Sequence, residues 1–453
     1  MRLTILGGGG FRVPLVYSAL LADTGPDPIT EVVLYDTDPS RVDTIAAVLR
    51  DQAARSPRAP DVILARTLDE AVRGADFIFC AIRVGGAQAR TVDERVALGL
   101  GVLGQETVGA GGIAYGLRTV PVAMEQARRI ATLAPQAWII NFTNPAGLVT
   151  EAMQTVLGDR VIGICDSPAG LCRRVAGALG VMIETDLTND VNGQPIAFDY
   201  VGLNHLGWLR GISIDGTEVL PRLLADPAAL ESFEEGQLFG ADWLRSLGSI
   251  PNEYLHYYYF HREAVQAAKS SHNTRGEFLL DQQGNFYAST GESGMAYDNW
   301  RRVRAERDAT YMAETRDDGA GRAASDLAAG GYEQVAVTLM RSIAHDDPAT
   351  LIVNVRNGET LSSVDEDAVI ELPCTVTAAG PRPLAVAPLT DHQAGLVCAV
   401  KAVERSVIEA ATGGSRDAAV RAFAEHPLID SVSVARALLD EYQRRLPDLS
   451  YLS

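Results

Sequence analysis

The 453-residue chain is predicted to have an α/β fold, with a Rossmann-type, doubly wound parallel sheet followed by an α+β carboxyl-terminal domain for substrate binding and oligomerisation. Short apolar runs alternate with helical patterns through the first third of the chain. The first of these runs leads directly into four glycines and a helix. After about residue 170, helical and alternating patterns are mixed. We therefore expect a nucleotide-binding domain at 1–170 and a second domain at 171–453.

Six short apolar runs supply the strands of the predicted parallel sheet. They are Leu3–Leu6, Val32–Tyr35, Val62–Ala65, Phe77–Ala81, Trp138–Asn141 and Val161–Cys165. The second domain is expected to contain alternating segments at Phe198–Leu203 and Leu209–Ile214, and helices at Leu171–Leu179, Asp242–Ala267, Gly331–Ala344, Gln393–Ala411 and Val432–Arg445. The glycine-rich, charged segment Asp317–Arg322 is expected to be a mobile loop.

Composition excludes several classes of function. The chain has 39 basic and 58 acidic residues, a net charge of −19, which argues against a nucleic-acid surface because phosphate binding needs clustered cations. Five cysteines without a paired framework are typical of a reducing compartment. The sequence shows neither a charged-then-apolar leader nor an apolar stretch of membrane-spanning length. We expect a cytoplasmic protein without nucleic-acid or membrane partners.

A nucleotide site is predicted where the first strand ends. Gly7–Gly10, Phe11 and Arg12 lie between this strand and the helical run from Val13, where backbone can approach a pyrophosphate at a helix amino terminus. Asp36 ends the second strand and is positioned to accept hydrogen bonds from ribose hydroxyls, which favours NAD over NADP. Arg12 replaces the last glycine of the GxGxxG frame. A simple tight turn is the alternative interpretation.

Beyond the nucleotide site, a series of motifs spreads over most of the chain. They are Ile82-Arg-Val-Gly-Gly86, Gly104-Gln-Glu-Thr-Val-Gly109, Gly111-Gly-Ile-Ala-Tyr-Gly-Leu-Arg118, Asn141-Phe-Thr-Asn-Pro145, Cys165-Asp-Ser-Pro168, Gly202-Leu-Asn-His205 and Tyr254-Leu-His-Tyr-Tyr258. In this order they resemble glycoside hydrolase family 4, the NAD- and metal-dependent glycosidases, and most of all its 6-phospho-β-glucosidases. The amino-terminal topology is also that of lactate and malate dehydrogenases, which lack the Cys/His pair.

Cys165 and His205 are the predicted protein ligands of a divalent metal, with coordination positions left for substrate oxygens and water. Ligand softness alone suggests zinc, whereas the resemblance implies Mn²⁺. A buried core cysteine and a core histidine are the alternative.

The resemblance also assigns an acid and a base. Tyr254 matches the family's catalytic-base tyrosine, and a phenol with an ordinary pKa of about 10 needs a nearby cation for that role. Tyr257, Tyr258 and Tyr259 are interpreted as packing residues. Asp166 matches the aspartate that protonates the leaving oxygen in α-type members, where β-type members more often carry Asn. Capping of the following helix is the alternative role of Asp166.

Substrate contacts are expected from residues around the carboxyl edge of the sheet. We expect Asn141 and Asn144 to hold sugar hydroxyls or cofactor, and Glu106 to shape the sugar pocket. Arg83 is expected to touch the cofactor or a substrate phosphate. The resemblance places Arg275 on the 6-phosphate, with Arg12 as the alternative ligand.

By resemblance, the reaction is hydrolysis of 6-phospho-β-glucosides through oxidation at C3 by NAD⁺, loss of the C2 proton, elimination, hydration and return of the hydride. Phosphorylated disaccharides and aryl glucosides are the implied substrates, and the implied assembly is a homodimer or homotetramer. A 6-phospho-α-glucosidase or an α-galactosidase of the same family is an open alternative. A 2-hydroxy-acid dehydrogenase and a non-catalytic nucleotide sensor are more distant ones.

Overall fold

A computed structural model describes residues 1–289, 294–310 and 331–453. These residues form one mixed sheet of thirteen strands. In chain order the strands are β1 (Arg2–Leu6), β2 (Glu31–Tyr35), β3 (Asp61–Leu64), β4 (Phe77–Cys80), β5 (Trp138–Asn141), β6 (Val161–Gly163), β7 (Ile196–Leu203), β8 (Leu206–Ile214), β9 (Thr217–Glu218), β10 (Ile250–Pro251), β11 (Ala349–Arg356), β12 (Val369–Thr377) and β13 (Gly380–Pro383). The segment Asp317–Arg322 lies outside the described residues.

The amino-terminal half of the sheet has the predicted doubly wound topology. Its strands are parallel in the spatial order β3-β2-β1-β4-β5-β6, the arrangement of a dinucleotide-binding fold. Successive residues of β4 point to opposite faces, so that Ile78 and Phe79 enter two different hydrophobic cores. Both faces are thus covered, as expected for a parallel sheet. The predicted α/β fold class is confirmed.

The sheet continues into the second half of the chain without a break. Strand β11 pairs antiparallel with β6, with Asn354 opposite Gly163, and the sheet then continues through β12, β7 and β8 to β10. The helix Ser167–Ala178 also spans the predicted boundary between 1–170 and 171–453. The division into two domains therefore remains a prediction, and the two predicted domains share one continuous sheet.

Helices pack against both faces of the sheet. Those of the first half are Val13–Ala22, Pro39–Ala53, Leu68–Val72, Gly86–Gly99, Gly109–Leu133, Ala146–Leu157 and Ser167–Ala178. Those of the second half are Leu220–Leu224, Pro227–Leu230, Glu234–Phe239, Ala241–Leu247, His256–Tyr259, His261–Ser270, Arg275–Ala288, Ala296–Ala309, Tyr332–His345, Asp391–Gly413, Arg416–Glu425 and Val432–Arg445, with 3₁₀ turns at Gly158–Arg160, Glu253–Leu255 and Pro447–Leu449. No helix in the described ranges has the length and apolar character needed to cross a membrane.

The single helix expected at Asp242–Ala267 is wrong. Gly248, at φ 69°, ends the first helix in a left-handed conformation, and Ile250–Pro251 then pairs with β8. Asn252 accepts the Tyr254 N–H and starts a 3₁₀ turn before two further helices. The strands β11, β12 and β13 were not predicted. The apolar runs of β11 and β12 do not alternate strictly, because both faces of these strands are buried. The short strand β13 is Gly-Pro-Arg-Pro and has no apolar run.

Candidate active site

Loops from six elements meet at the carboxyl edge of the parallel strands, around a cavity of about 1730 Å³. The loops after β1, β4, β5 and β6 carry Gly7–Arg12, Arg83, Asn144 and Cys165–Asp166. The turn between β7 and β8 supplies His205, and the 3₁₀ turn Glu253–Leu255 supplies Tyr254. Single small-molecule pockets measure roughly 300–1,000 Å³, so this cavity has room for a dinucleotide and a sugar together.

The loop after β1 depends on glycine at one position above all. Gly7 has φ 86°, and a Cβ there would lie 2.4 Å from the Ala81 carbonyl oxygen. Gly7 and Gly10 line the cavity, together with Phe11 and Arg12. This is the close backbone approach that a pyrophosphate site requires.

Other members of this loop serve the fold rather than the cavity. The Gly8 N–H donates to the Tyr35 carbonyl oxygen, and the Gly9 N–H donates to Asp36 Oδ2. The Phe11 side chain is buried against Phe286 and Trp300. Gly8 and Gly9 do not line the cavity, because their N–H groups are engaged within the fold, whereas Phe11 lines it and stays a predicted cofactor contact. Asp36 lines the cavity while it braces the loop.

Cys165 and His205 come together as predicted, and we call this pair the thiol–imidazole site. Cys165 Sγ lies 3.6 Å from His205 Nε2, and both residues are buried. Cys165 follows β6 by two residues, whereas His205 occupies the turn between β7 and β8 with φ 63°. The sheet thus brings together two residues that are forty positions apart in sequence.

Burial keeps both groups of the thiol–imidazole site neutral. Burial and the neighbouring Asp166 carboxylate raise the pKa of the Cys165 thiol well above its ordinary value. Burial lowers the pKa of His205 to about 4. A neutral imidazole is the form that ligates metals, and a bound cation would favour the thiolate.

Tyr254 lies on the face of the His205 ring. The two ring centroids are 3.7 Å apart with an interplanar angle of 11°. Tyr254 also contributes, after Glu106 and Glu94, to raising the pKa of the Arg90 guanidinium against the opposing effect of burial. The structure therefore places a potential metal ligand and a cation beside the predicted base.

Asp166 occupies the position before the helix Ser167–Ala178, but its side chain makes no capping hydrogen bond. The capping interpretation is therefore wrong. Asp166 Oδ2 lies 3.9 Å from Arg12 Nη1, and Oδ1 lies 3.9 Å from Cys165 Sγ. The carboxyl group lines the cavity next to the thiol–imidazole site.

The two asparagines after β5 have different roles. Asn141 is fully buried, and its amide donates to the Thr143 and Ala146 carbonyl oxygens and to Thr150 Oγ1. The prediction that Asn141 contacts a ligand is wrong, because the loop itself uses the donors of this amide. Asn144, which precedes a cis Pro145, lines the cavity as expected.

Glu106 is held between two arginines. It accepts a hydrogen bond from Arg90 Nη1 at 2.6 Å and forms an ion pair with Arg83. Burial alone would raise the pKa of Glu106, but Arg83 and Arg90 outweigh it and lower the pKa to about 2. Glu106 therefore stays charged in the cavity wall, and it fixes the position of Arg83.

A group of three arginines, which we call the guanidinium cluster, lines another part of the cavity: Arg12, Arg275 and Arg307. The Arg12 guanidinium lies 5.5 Å and 5.2 Å from the ring centroids of Phe142 and Tyr332. Arg275 donates to the Arg307 carbonyl oxygen and to Thr310 Oγ1. Burial, with the charges of Arg12 and Arg275, lowers the pKa of Arg307 to about 9.

The guanidinium cluster suits an anion because like charges placed close together destabilise one another, and a negative group beside them offsets this repulsion, as Asp166 does for Arg12. Arg275 and Arg12 were predicted from the sequence, but Arg307 and Arg90 were missed. Arg307 lies in a helix with four arginines, which resembles a solvent-exposed face, and Arg90 lies in a polar helix with two. Neither position carries a sequence signal that separates it from its neighbours.

The thiol–imidazole site fits a divalent metal. Ligand bonds of roughly 2.3 Å to sulfur and 2.0–2.1 Å to nitrogen at a tetrahedral ion correspond to donor atoms about 3.5 Å apart, close to the observed 3.6 Å. In the described part of the chain, no set of three or more His, Cys, Asp or Glu side chains is placed to hold a metal. Two protein ligands would therefore leave positions for substrate oxygens.

Two family models match the chain over most of its length. The model described as family 4 glycosyl hydrolase matches residues 2–181, and the model of the C-terminal domain of that family matches residues 200–429. The resemblance noted from the motifs is thereby confirmed.

Individual relatives agree with these models. A probable 6-phospho-β-glucosidase of Bacillus subtilis is 30% identical over 97% of this chain and 95% of its own. A solved 6-phospho-β-glucosidase of Thermotoga maritima with NAD and glucose-6-phosphate has a TM-score of 0.83 and 26% identity, with both chains fully covered. A solved 6-phospho-α-glucosidase from gut microorganisms with NAD and Mn²⁺ has a TM-score of 0.79 and 25% identity. The match covers 98% of this chain and 97% of that one. The chain belongs to glycosyl hydrolase family 4.

Proposed function

We propose that the protein hydrolyses 6-phospho-β-glucosides with the help of NAD⁺ and Mn²⁺ or another divalent metal. The observation that carries the proposal is the arrangement of one cavity, with the thiol–imidazole site and Tyr254 in one part and the guanidinium cluster in another. A sugar phosphate offers hydroxyl groups to the first part and a phosphate to the second. The relatives named above act on phosphorylated glucosides of both anomers.

NAD⁺ and the metal, when bound, supply a reversible hydride acceptor for C3 and an electrophile for the resulting carbonyl. Cys165 and His205 hold the cation, and the loop from Gly7 to Arg12 with Asp36 holds the dinucleotide. Tyr254 then takes the proton from C2, which the neighbouring carbonyl has made acidic, with Arg90 close by to stabilise the phenolate. The Asp166 carboxyl group, once protonated, gives its proton to the leaving oxygen. Water then adds at C1, C2 regains a proton, and return of the hydride to C3 completes the hydrolysis. Glu106 keeps Arg83 in the cavity wall.

The guanidinium cluster binds the 6-phosphate in this proposal. Arginine's planar fork matches phosphate oxygens, and a phosphate would relieve the repulsion among Arg12, Arg275 and Arg307. The sequence left open whether Arg12 or Arg275 holds the phosphate. In this proposal both arginines hold it, together with Arg307. Asn144 remains a candidate ligand of the sugar or the cofactor.

Activity on 6-phospho-α-glucosides is a second candidate, favoured by one observation. The Asp166 carboxyl group does not cap the following helix and lies at the cavity beside the thiol–imidazole site. This position suits an acid that protonates the leaving group. The side from which a leaving oxygen needs its proton depends on the anomer. Direct comparison of the two anomers therefore decides between the candidates.

The test uses four nitrophenyl glucosides: the α and β anomers, each with and without a 6-phosphate, assayed with Mn²⁺ and NAD⁺. We expect release of nitrophenol from the phosphorylated β anomer with no net change in NADH absorbance. Preference for the phosphorylated α anomer would establish the second candidate. Faster cleavage of the free glucosides, or net NADH formation as by a dehydrogenase, would contradict the proposal.

The assembly and location follow the same proposal. Phosphorylated disaccharides and aryl glucosides are the proposed substrates, and a homodimer or homotetramer is the proposed assembly. A cytoplasmic location is supported by the five cysteines, all of which are free thiols. Light scattering of the purified protein would measure the assembly directly.

A further inference from the structure

A short hydrogen-bond chain connects the thiol–imidazole site to the loop before the helix Gly109–Leu133. Thr107 Oγ1 lies 2.9 Å from His205 Nδ1 and 3.2 Å from Gln105 Oε1. The motif Gly104–Gly109 brings this loop to the site. The direction of the two hydrogen bonds can be derived from the backbone.

Gln105 fixes the start of the chain. The backbone N–H groups of Thr107 and Val108 both point at Gln105 Oε1, at 2.6 Å and 2.8 Å. Two N–H donors can face an amide oxygen but not an amide NH₂ group. This atom is therefore the oxygen, and an amide oxygen only accepts hydrogen bonds.

The remaining protons follow in order. Because Gln105 Oε1 only accepts, the Thr107 hydroxyl donates its proton to it. The Thr107 oxygen then accepts from His205 Nδ1–H. A neutral imidazole carries one N–H, so Nε2 keeps a free lone pair, and this is the nitrogen that lies 3.6 Å from Cys165 Sγ.

We propose that Thr107 and Gln105 are positioning residues that hold His205 in the tautomer protonated on Nδ1 and so direct its Nε2 lone pair towards Cys165 and the metal position. The inference rests on the proposed function in naming the metal, whereas the tautomer is a property of the metal-free chain. Such partners of a ligating histidine typically change metal affinity by roughly 10–100-fold when removed.

The alternative tautomer would put a proton where the metal must bind. A flip of the ring would keep the stacking on Tyr254 but would move Nδ1 away from Thr107 Oγ1 and Nε2 away from Cys165 Sγ. Thr107 thus acts on the edge of the ring that neither Cys165 nor Tyr254 occupies.

The experiment has two readouts on the full-length protein. The first is the ¹⁵N spectrum of histidine in metal-free protein, with the His205 signals assigned by their loss in His205→Asn. The second is Mn²⁺ affinity in the presence of NAD⁺, measured from the electron paramagnetic resonance of free Mn²⁺. Thr107→Val removes the hydroxyl at nearly constant volume, and Thr107→Ser restores it.

We expect a protonated Nδ1 in the wild-type protein, Mn²⁺ affinity lowered about 10–100-fold in Thr107→Val, and affinity near the wild-type value in Thr107→Ser. A wild-type proton on Nε2, or a Thr107→Val affinity within about twofold of wild type, would overturn the inference while the proposed function stands. Failure of the wild-type protein to bind Mn²⁺ would instead overturn the metal assignment and the positioning role together. The wild-type spectrum decides the tautomer even if Thr107→Val does not fold.

Discussion

The pKa values of Cys165, His205 and Glu371 are shifted so that these groups are neutral, whereas that of Glu106, partly buried in the cavity wall, is shifted so that this group is charged. Burial raises the pKa of Cys165, lowers that of His205 to about 4, and raises that of Glu371, which lies behind the site, to about 7. Around Glu106 the charges of Arg83 and Arg90 outweigh burial.

The difference shows that burial alone does not set the state of a group in this cavity. Within the described residues, the donors to Glu371 are the uncharged groups of Tyr200, Asn204 and Asn354, and these do not offset desolvation. Glu106 has two guanidiniums within ion-pair distance. The neutral thiol and imidazole are potential ligands of a cation, whereas Arg83 and Arg90 keep Glu106 charged.

The largest effect is expected for Cys165→Ser, which removes the thiol from the thiol–imidazole site. We expect kcat to fall about 10³-fold or more, because loss of the thiolate ligand removes roughly 4 kcal/mol of electrophilic stabilisation. NAD⁺ affinity and the thermal midpoint should change little. Cys398→Ser, at an exposed position that does not line the cavity, is the control and should keep full activity. A fully active Cys165→Ser enzyme would remove Cys165 from the site.

Tyr254→Phe tests the base without touching the metal ligands. We expect kcat to fall roughly 10²-fold or more, since a positioned general base typically contributes 10²–10⁴-fold, while Mn²⁺ affinity is kept. The neighbouring Tyr257, buried beside it, provides the matched control Tyr257→Phe. Equal losses in the two variants, measured by steady-state kinetics, would contradict the assignment of the base.

Arg307→Gln probes the cationic part. We expect kcat/KM for the phosphorylated glucoside to fall about 100-fold, because a hydrogen bond to a charged group contributes roughly 1.5–3 kcal/mol. Activity on the free glucoside, however low, should be unchanged. The exposed Arg302→Gln on the same helix is the control. A loss of the same size on both substrates would show that Arg307 does not bind the phosphate.

Glu371→Gln tests, through the pH dependence of folding stability, whether burial raises the pKa of Glu371. The pKa of Glu371 is raised to about 7 in the folded chain, so its contribution to stability is fully present at low pH and is lost as pH rises through that value. Glutamine has no charge to bury. Relative to wild type, the variant should therefore gain about 2 kcal/mol between about pH 5 and pH 8, seen as a rising difference in Tm. A pH-independent difference would contradict the shifted pKa.

The parallel half of the fold could be predicted from the sequence because each of its strands is a short apolar run next to a turn or a helix. The apolar spacing of Asp242–Ala267 is helical throughout, but Gly248 ends the first helix and Pro251 lies in a strand that pairs with β8. The buried strands β11 and β12 have no strict alternation to detect. Pairing patterns of this kind depend on distant segments.

The site was predictable where a motif marked it and not where packing made it. Cys165 and His205 were found from their motifs, and the structure brings them within 3.6 Å. Asn141 belongs to a similar motif, yet its amide is used up inside the loop. Arg307 has no motif, and its place in the cavity arises from helix packing against Phe11 and Arg275. Hydrogen-bond use and helix packing are properties of the folded chain.

The incorporation of solvent deuterium at C2 of the released sugar phosphate tests the central claim, that Tyr254 removes a C2 proton beside a metal held by Cys165 and His205. Hydrolysis of the phosphorylated β-glucoside would be run in D₂O and the product analysed by proton NMR and mass spectrometry. We predict a product that carries deuterium at C2, because water adds at C1 of the eliminated sugar while C2 takes a deuteron from the solvent in place of the proton it lost. A product that retains only the original hydrogen at C2 would contradict it and indicate direct displacement.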